Sequence, residues 1–309
     1  MTKDVHDLVI IGMGPAGYTA SIYASRYKIG HLIIGNLPGG LIGQSHKVCN
    51  YPTEGDISGL DLVGKMQKKA IDLGGKEVFD QVIKIEKVDD GKFKIVTKSS
   101  GEFYSEAVLL ATGLKHRHLN IPGEKEFNSR GVAYCATCDG MFFKDKIVAV
   151  IGGGDAANSA SVYLADIASK VYQILRGDEL KGEVAWVDLV KSNPKIELIY
   201  NNNVIKLGGK ENLEYLILNK EYNGQAKLEI DGLFVEIGSE PDIALLSDLN
   251  LKADESGYIA VGMDQSTNIE GLYAAGDVTT ASNRFKQVIT ASSEGAIATE
   301  SIYKYLKNK

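Results

Sequence analysis

Apolar positions along this 309-residue chain fall into short unbroken runs closed by glycine. The stretches "LVIIGMGPAGYTASIYASRY", from Leu8, and "IVAVIGGGDAANSASVYLAD", from Ile147, repeat one design: an apolar run, a glycine cluster, then small residues at helical spacing. A run apolar on both faces suits a buried parallel strand, and a helix starting directly at the turn gives the βαβ arrangement. The duplication predicts an α/β protein with two Rossmann-like dinucleotide-binding domains. Ser58 to Leu73 has the stripe of an amphipathic helix, capped by Ser58 and stopped by Gly74 and Gly75. Val82 to Val88, Phe93 to Thr97 and Val108 to Leu110 have strand character. The regular pattern lapses at Leu114 to Glu124 and at Gly238 to Ala244, each time with a proline, and these are the expected crossings between domains. The remainder from Leu245, with "GLYAAGDV" and a closing helix, is too short for a third domain and completes the first. The expected organisation is therefore residues 1–115 and 244–309 as one domain, with the second, residues 116–243, inserted in it.

Composition narrows the class. With Lys+Arg 34 against Asp+Glu 40, the net charge of -6 has the wrong sign for a protein that neutralises phosphates along DNA or RNA. The opening "MTKDVHDLVIIGMGPAG" enters a strand without a signal peptide's apolar core and cleavage site, and no segment stays apolar for about 18 residues. The expectation is a cytoplasmic protein with neither nucleic acid nor membrane as partner.

The motifs carry the chemistry. In "GMGPAG", Gly12, Gly14 and Gly17 fit GxGxxG after a strand. One permits the tight turn, one lets a pyrophosphate reach the backbone, and one lets helix and strand pack, with the phosphate at the helix N-terminus. A single such match is often an ordinary glycine turn, but the same grammar returns as Gly152, Gly154 and Ala157. The acid expected about 20 residues after the first fingerprint is absent, and "HLIIGNL" offers only Asn36. After the second, "KVYQIL" runs into "RGDELK" and places Arg176 where the ribose is read, which favours the 2′-phosphate of NADP. Lys181 adds a positive charge, while Asp178 and Glu179 offset both cations in the same loop.

Two of the three cysteines lie in "YCATCDGMFF", from Tyr134. Three cysteines make no disulfide framework, and a close pair in a reducing compartment serves catalysis or metal binding more often than crosslinking. Cys135 and Cys138, at i and i+3, are expected on one helical face and within reach of each other. Zinc needs four ligands; His116 and His118 sit in an HxH loop, no second CxxC exists, and no metal is expected. Asp139 can move a proton during thiol exchange, although a helix-initiating aspartate looks the same. Cys49 reads as a small buried hydrophobe and Trp186 as a packed aromatic.

The order "GMGPAG", "ATG" (Ala111 to Gly113), "CATCDG", "GGGDAA", "DGLFVEIGSEPD", "GLYAAGDV" closely resembles that of the low-molecular-weight thioredoxin reductases over essentially the whole chain. That resemblance implies FAD on the outer, discontinuous domain. Gly12, Gly14, Pro15, Ala16 and Gly17 would lie at its pyrophosphate, with Asn50, Thr112 and Gly113 nearby. Gly276 and Asp277 would hold the ribityl and phosphate region, and Lys286, Gln287 and Val288 would lie near the flavin. It also implies that Cys138 exchanges electrons with the flavin, that Cys135 attacks the disulfide of thioredoxin or a thioredoxin-like protein, and that Asp139 serves as acid and base. A homodimer is implied, with an inserted domain that rotates. Departures gather in the second domain. Ser159 and Ala160 stand where the family has a pair of glutamates, and the HRRxxxR box reads "LRGDELK", Leu175 to Lys181, keeping only Arg176. Gly177 supplies no side chain, and Lys181 lacks the bidentate fork of arginine. NADP(H) at Gly152, Gly154, Ala157, Arg176 and Lys181 is thus set against NADH and against reduced ferredoxin, the donor that the resemblance implies for relatives with altered boxes. The alternatives to a thioredoxin-disulfide reductase are a flavoprotein redox sensor and a reductase of another small disulfide or peroxidase partner.

Overall fold

The computed structural model describes residues 5–88, 90–241 and 249–309. Two compact units make up the chain: His116–Ser239 is one, and the described residues on either side of it form the other. The expected limit at 243/244, and the end of the expected crossing at Gly238 to Ala244, lie outside the described residues; the change of unit falls between Ser239 and Glu240.

In chain order the first unit opens with β1 (Val5–Ile11), α1 (Pro15–Arg26), β2 (His31–Gly35), α2 (Gly59–Asp72), β3 (Lys76–Phe79), β4 (Val82–Lys87), β5 (Phe93–Thr97) and β6 (Glu102–Leu110). The crossing carries β7 (Leu114–His116). The second unit holds β8 (Val132–Ala133), α3 (Ala136–Asp139), β9 (Ile147–Ile151), α4 (Asp155–Ala165), β10 (Lys170–Ile174), α5 (Val184–Ser192) and β11 (Ile196–Ile199). It ends with β12 (Val204–Gly209), β13 (Leu213–Tyr222), β14 (Gln225–Glu229) and β15 (Gly232–Val235). The return carries β16 (Ser239–Pro241), paired with β7, and then β17 (Leu272–Ala274) and α6 (Val288–Lys307).

The first unit is built on one seven-stranded sheet in the order β3-β2-β1-β6-β5-β4. The long strand β6 pairs parallel with β1 on one edge and divides its other edge between two partners: Glu102, Phe103, Tyr104 and Ser105 pair antiparallel with β5, and Val108–Leu110 pairs parallel with β17. One face packs on the helices through Leu8, Ile10, Tyr18, Leu109 and Ile302, and the other buries Val9, Ile11, Phe93, Val108 and Ile259. Each such side chain removed from water is worth about 1.5–3 kcal/mol. Local chemistry sets the helix limits. Ser58 Oγ accepts the Asp61 N–H at 3.1 Å to start α2, Gly74 leaves it at φ 99°, and Gln287 with Thr290 forms a capping box at the start of α6.

The second unit repeats the plan as a five-stranded sheet, β11-β10-β9-β15-β8, all parallel. Val148, Val150 and Phe234 face α4, while Ala149, Ile151, Leu233 and Val235 face the antiparallel sheet β12-β13-β14. Both units are thus Rossmann-like, the second inserted in the first. Among the described residues no helix is long and apolar enough to cross a membrane.

Candidate functional site

Gly12 follows β1 at φ 122°, and a Cβ there would lie 2.0 Å from Ala111 O, so the turn closes directly onto the end of β6. A Cβ on Gly17 would lie 2.1 Å from Gly12 O, which makes this the close approach of α1 to the turn. Gly14 differs: it caps α1 at φ -91°, and a Cβ would find nothing nearer than Gly39 O at 3.9 Å. Two glycines are therefore demanded by packing, and the middle one leaves open space before a helix N-terminus. That N-terminus has no side-chain cap and no acid in its first turn.

The other residues expected around this turn gather in the same unit. Ala16 lies beside Gly276, where a Cβ would come 3.0 Å from Ala16 Cβ. Among the described residues Thr112 Oγ1 is buried without a hydrogen-bond partner, and Gly113, at φ 61°, borders open space. Burial raises the Asp277 carboxyl to about 6, with Lys286 opposing the shift and Glu294 adding to it. At the start of α6, Asn50 Nδ2 donates to Gln287 Oε1 at 2.9 Å, Lys286 Nζ donates to Tyr258 OH at 2.6 Å, and Val288 is buried. One participant was missed in the sequence. Glu294, buried on α6, accepts from Gly276 N–H (2.8 Å), Thr279 Oγ1 (2.9 Å) and Ser282 Oγ (2.6 Å), and so fixes the Gly276–Asp277 turn. The only signal for it was an acid in a run of small and apolar residues, "SSEGAIA". An unpartnered hydroxyl, a bare helix N-terminus and open glycines fit a phosphate-bearing flavin cofactor.

The second turn copies the backbone of the first. Gly152, at φ 144°, would drive a Cβ to 2.2 Å from Glu236 O, and Gly154 caps α4 with nothing within 4 Å. Ala157, fully buried, takes the place of the third glycine. The charges differ. Asp155 stands in the first turn of α4 and its Oδ1 accepts the Glu183 N–H at 2.6 Å. Lys181 N–H donates to Gly153 O at 2.7 Å, and Asn158 Nδ2 donates to Lys181 O at 2.8 Å, so this loop is laced to the turn. Arg176 and Lys181 are exposed, and Ser159 Oγ is spent on Ala156 O at 3.1 Å.

Cys135 and Cys138 are joined in a disulfide with Cα atoms 5.3 Å apart. They do not share a helical face. Cys135 arrives from β8 with extended backbone (φ -140°, ψ 101°) and acts as the N-cap of the one-turn α3, so only Cys138 is helical. The Cys138 N–H points at Cys135 Sγ at 3.1 Å. Cys135 is buried and Cys138 exposed. Burial raises the Asp139 carboxyl above the usual aspartate range. Cys49 corrects another expectation: it is exposed, because Val48 takes the buried position of the bridge to Ile57 and the next residue turns outward. Trp186 is half-buried.

A family model described as pyridine nucleotide-disulphide oxidoreductase matches residues 6–295, and the chain belongs to that family. Within it the chain is a member of the thioredoxin reductase family, a group of flavin-dependent oxidoreductases. It is 36% identical to the thioredoxin reductase of Listeria innocua over 308 residues, 99% of this chain and 95% of that protein. The crystal structure of Lactococcus lactis thioredoxin reductase superposes with a TM-score of 0.92 at 34% identity, covering 98% of this chain and 100% of the other. A ferredoxin-flavin thioredoxin reductase from Clostridium acetobutylicum matches with a TM-score of 0.53 at 30% identity, covering 98% and 99%.

Proposed function

We propose that this chain is a thioredoxin-disulfide reductase that binds FAD in its first unit and passes electrons through Cys135 and Cys138 to thioredoxin or a thioredoxin-like protein. The observation that carries the reading is the disulfide beside a partly buried aspartate that has no charged partner among the described residues, in a unit inserted along the chain between the two parts of a flavin-type unit. Gly12, Gly14 and Gly17 with Pro15 and Ala16 would hold the pyrophosphate, Thr112 the orphaned hydroxyl contact, and Gly276 and Asp277 the ribityl region. FAD, once bound, supplies reducing equivalents singly or as hydride.

The chemistry of the pair follows from the sulfurs. Two electrons and two protons open the Cys135–Cys138 bond. Cys135 as thiolate then attacks the partner's disulfide and forms a mixed disulfide, and Cys138 displaces the partner's second thiol from Cys135 and restores the internal bond. The Cys138 N–H can stabilise the Cys135 thiolate, and Asp139, held toward its protonated form, can give and take the proton. Because Cys135 is buried, its attack requires a movement that uncovers it. The couple must be about as reducing as thioredoxin, near −270 mV.

The likeness to the Clostridium protein and the reduced cation count of the "RGDELK" loop support a second donor reading, reduced ferredoxin in place of NADPH. A homodimer in the cytoplasm is the assembly we assign. The decisive experiment is steady-state reduction of thioredoxin with each donor, following flavin absorbance anaerobically. Serine at Cys135 or Cys138 is expected to abolish turnover. A single-cysteine variant should trap thioredoxin as a mixed disulfide when Cys135 is the one retained. Trapping only through Cys138 would exchange the two roles, and turnover without either sulfur would end the proposal.

A further inference from the structure

The second cradle has the backbone of a dinucleotide site and the wrong charge for one. Glu236 continues β15 by one residue, its N–H donating to Ile151 O at 2.9 Å. Its carbonyl is the group that a Cβ on Gly152 would strike. Along β15, Phe234 packs with Ala157 and Leu164 on the α4 side, whereas Leu233 and Val235 pack on the opposite face. The two-residue period of a strand therefore places Glu236 on the α4 side, beside the glycine turn. This is the carboxyl end of the parallel strands, where a doubly wound sheet opens its ligand crevice. Among the described residues the Glu236 carboxylate has neither ion pair nor hydrogen bond, and burial alone raises it to about 7. Asp155 adds a second acid at the same helix start, already bonded to the Glu183 N–H. The cations Arg176 and Lys181 are exposed, in a loop that also holds Asp178 and Glu179.

We infer that Glu236 is a specificity-determining residue that bars nicotinamide dinucleotides from the glycine turn of the inserted unit, because its carboxylate stands where a pyrophosphate would bring negative charge. The inference rests on the proposed reading only in taking this turn as the place a nicotinamide donor would use. Glu236 is half-buried, so its charge is screened less by solvent than those of the exposed cations and opposes the ligand more strongly than they attract it. Removing the 2′-phosphate would not relieve the conflict, so NADH and NADPH are both affected.

The test is binding of NADPH and of NADH to the oxidised, FAD-containing protein by isothermal titration, for the wild type and for Glu236→Gln and Glu236→Ala. The wild type should show no saturation below about a millimolar, and Glu236→Gln should tighten both ligands about tenfold or more. Equal or weaker binding by the Gln variant overturns the inference, as does micromolar binding of NADPH to the wild type. Wild-type protein reduced with dithionite and mixed with oxidised thioredoxin tests the dithiol reading separately. If thioredoxin stays oxidised, that reading fails whatever the titrations return.

Discussion

The two glycine turns of this chain share a backbone and differ in what surrounds it. In both, the first glycine has a positive φ and a neighbouring carbonyl where a Cβ would stand, Ala111 O in one and Glu236 O in the other, and the helix-capping glycine faces open space. Around the first, the helix start carries no acid and a buried threonine hydroxyl lacks a partner. Around the second, the helix start carries Asp155, the neighbouring strand ends in Glu236, and the loop that should supply arginines is laced back onto the turn. The glycine pattern therefore reports a fold requirement in both places, and on our proposal a phosphate site only at the first, where the charges agree with it. Backbone shape and ligand preference are separable, and substitutions can separate them.

The largest effect is expected from the forced glycines. Gly12→Ala and Gly152→Ala each place a methyl about 2 Å from a carbonyl oxygen at positive φ, and each should cost about 3 kcal/mol or more. Gly14→Ala and Gly154→Ala have room and ordinary φ, and should unfold within about 1 kcal/mol of the wild type in urea. Gly14→Ala should nevertheless lose flavin, whereas Gly154→Ala should keep it. If Gly14→Ala retained its cofactor at full occupancy, the open space before α1 would not be where the phosphate sits.

Next is the pH dependence of stability. Glu236 has a folded value of about 7 against an ordinary 4.5, so the folded state holds a proton that the unfolded chain releases. Its contribution is fully present below about pH 4.5 and is lost as pH rises through 7, up to about 3 kcal/mol in all. Glu236→Gln should be nearly neutral at pH 4.5 and more stable than the wild type at pH 8, read as the difference between their thermal unfolding curves. Parallel curves at both pH values would show that the carboxyl is not desolvated. Thr112→Val, at the first turn, should act on the order of 1 kcal/mol and in opposite senses. It removes an unsatisfied buried hydroxyl from the flavin-free protein and a hydrogen bond from the flavin-bound one. Flavin release on dilution, compared with the stability of the stripped protein, measures both.

Much of this contrast was legible in the residues because glycine is demanded by sterics, and steric demands leave a local trace. Gly12, Gly17 and Gly152 could be read for that reason, as could the Ser58 cap and the Gly74 stop, each of which acts within a few residues of itself. What escaped is set by the chain meeting itself far away. The branching of β6 to both β5 and β17 depends on residues 272–274, and the antiparallel sheet β12-β13-β14 depends on long-range pairing. Glu294 gains its meaning only when α6 reaches Gly276. The spacing of the cysteine pair predicts one helical face, but the incoming strand β8 holds Cys135 extended and leaves it outside the helix. The residue type of Cys49 predicts burial, and alternation in a bridge turns it outward. The charges at the second turn were only half legible. Arg176 and its acidic neighbours are adjacent in sequence, whereas Glu236 joins them from about 80 residues beyond Gly152 through the parallel pairing of β15 with β9.

The smallest expected effect is at Arg176, and its smallness sharpens the comparison. From sequence alone this residue sits where a 2′-phosphate would be read, so a functioning NADP site predicts that Arg176→Ala weakens NADPH about tenfold while leaving NADH alone. In the structure Arg176 is exposed, with Gly177 beside it and two acids following within the same loop. A single guanidinium in that setting is screened by solvent and by its neighbours, and contributes little. Arg176→Ala should therefore change unfolding free energy by no more than about 0.5 kcal/mol and leave thioredoxin reduction by the effective donor unaltered. Its effect on nucleotide binding should emerge only in the Glu236→Gln background, where a phosphate can reach the turn. There, loss of Arg176 should discriminate between NADPH and NADH. Such conditional behaviour is what two residues acting on one ligand produce, and a double-mutant cycle measures it directly. An effect of Arg176→Ala on NADPH in the otherwise wild-type chain would mean that the second turn accepts its ligand after all, and would make the two cradles alike.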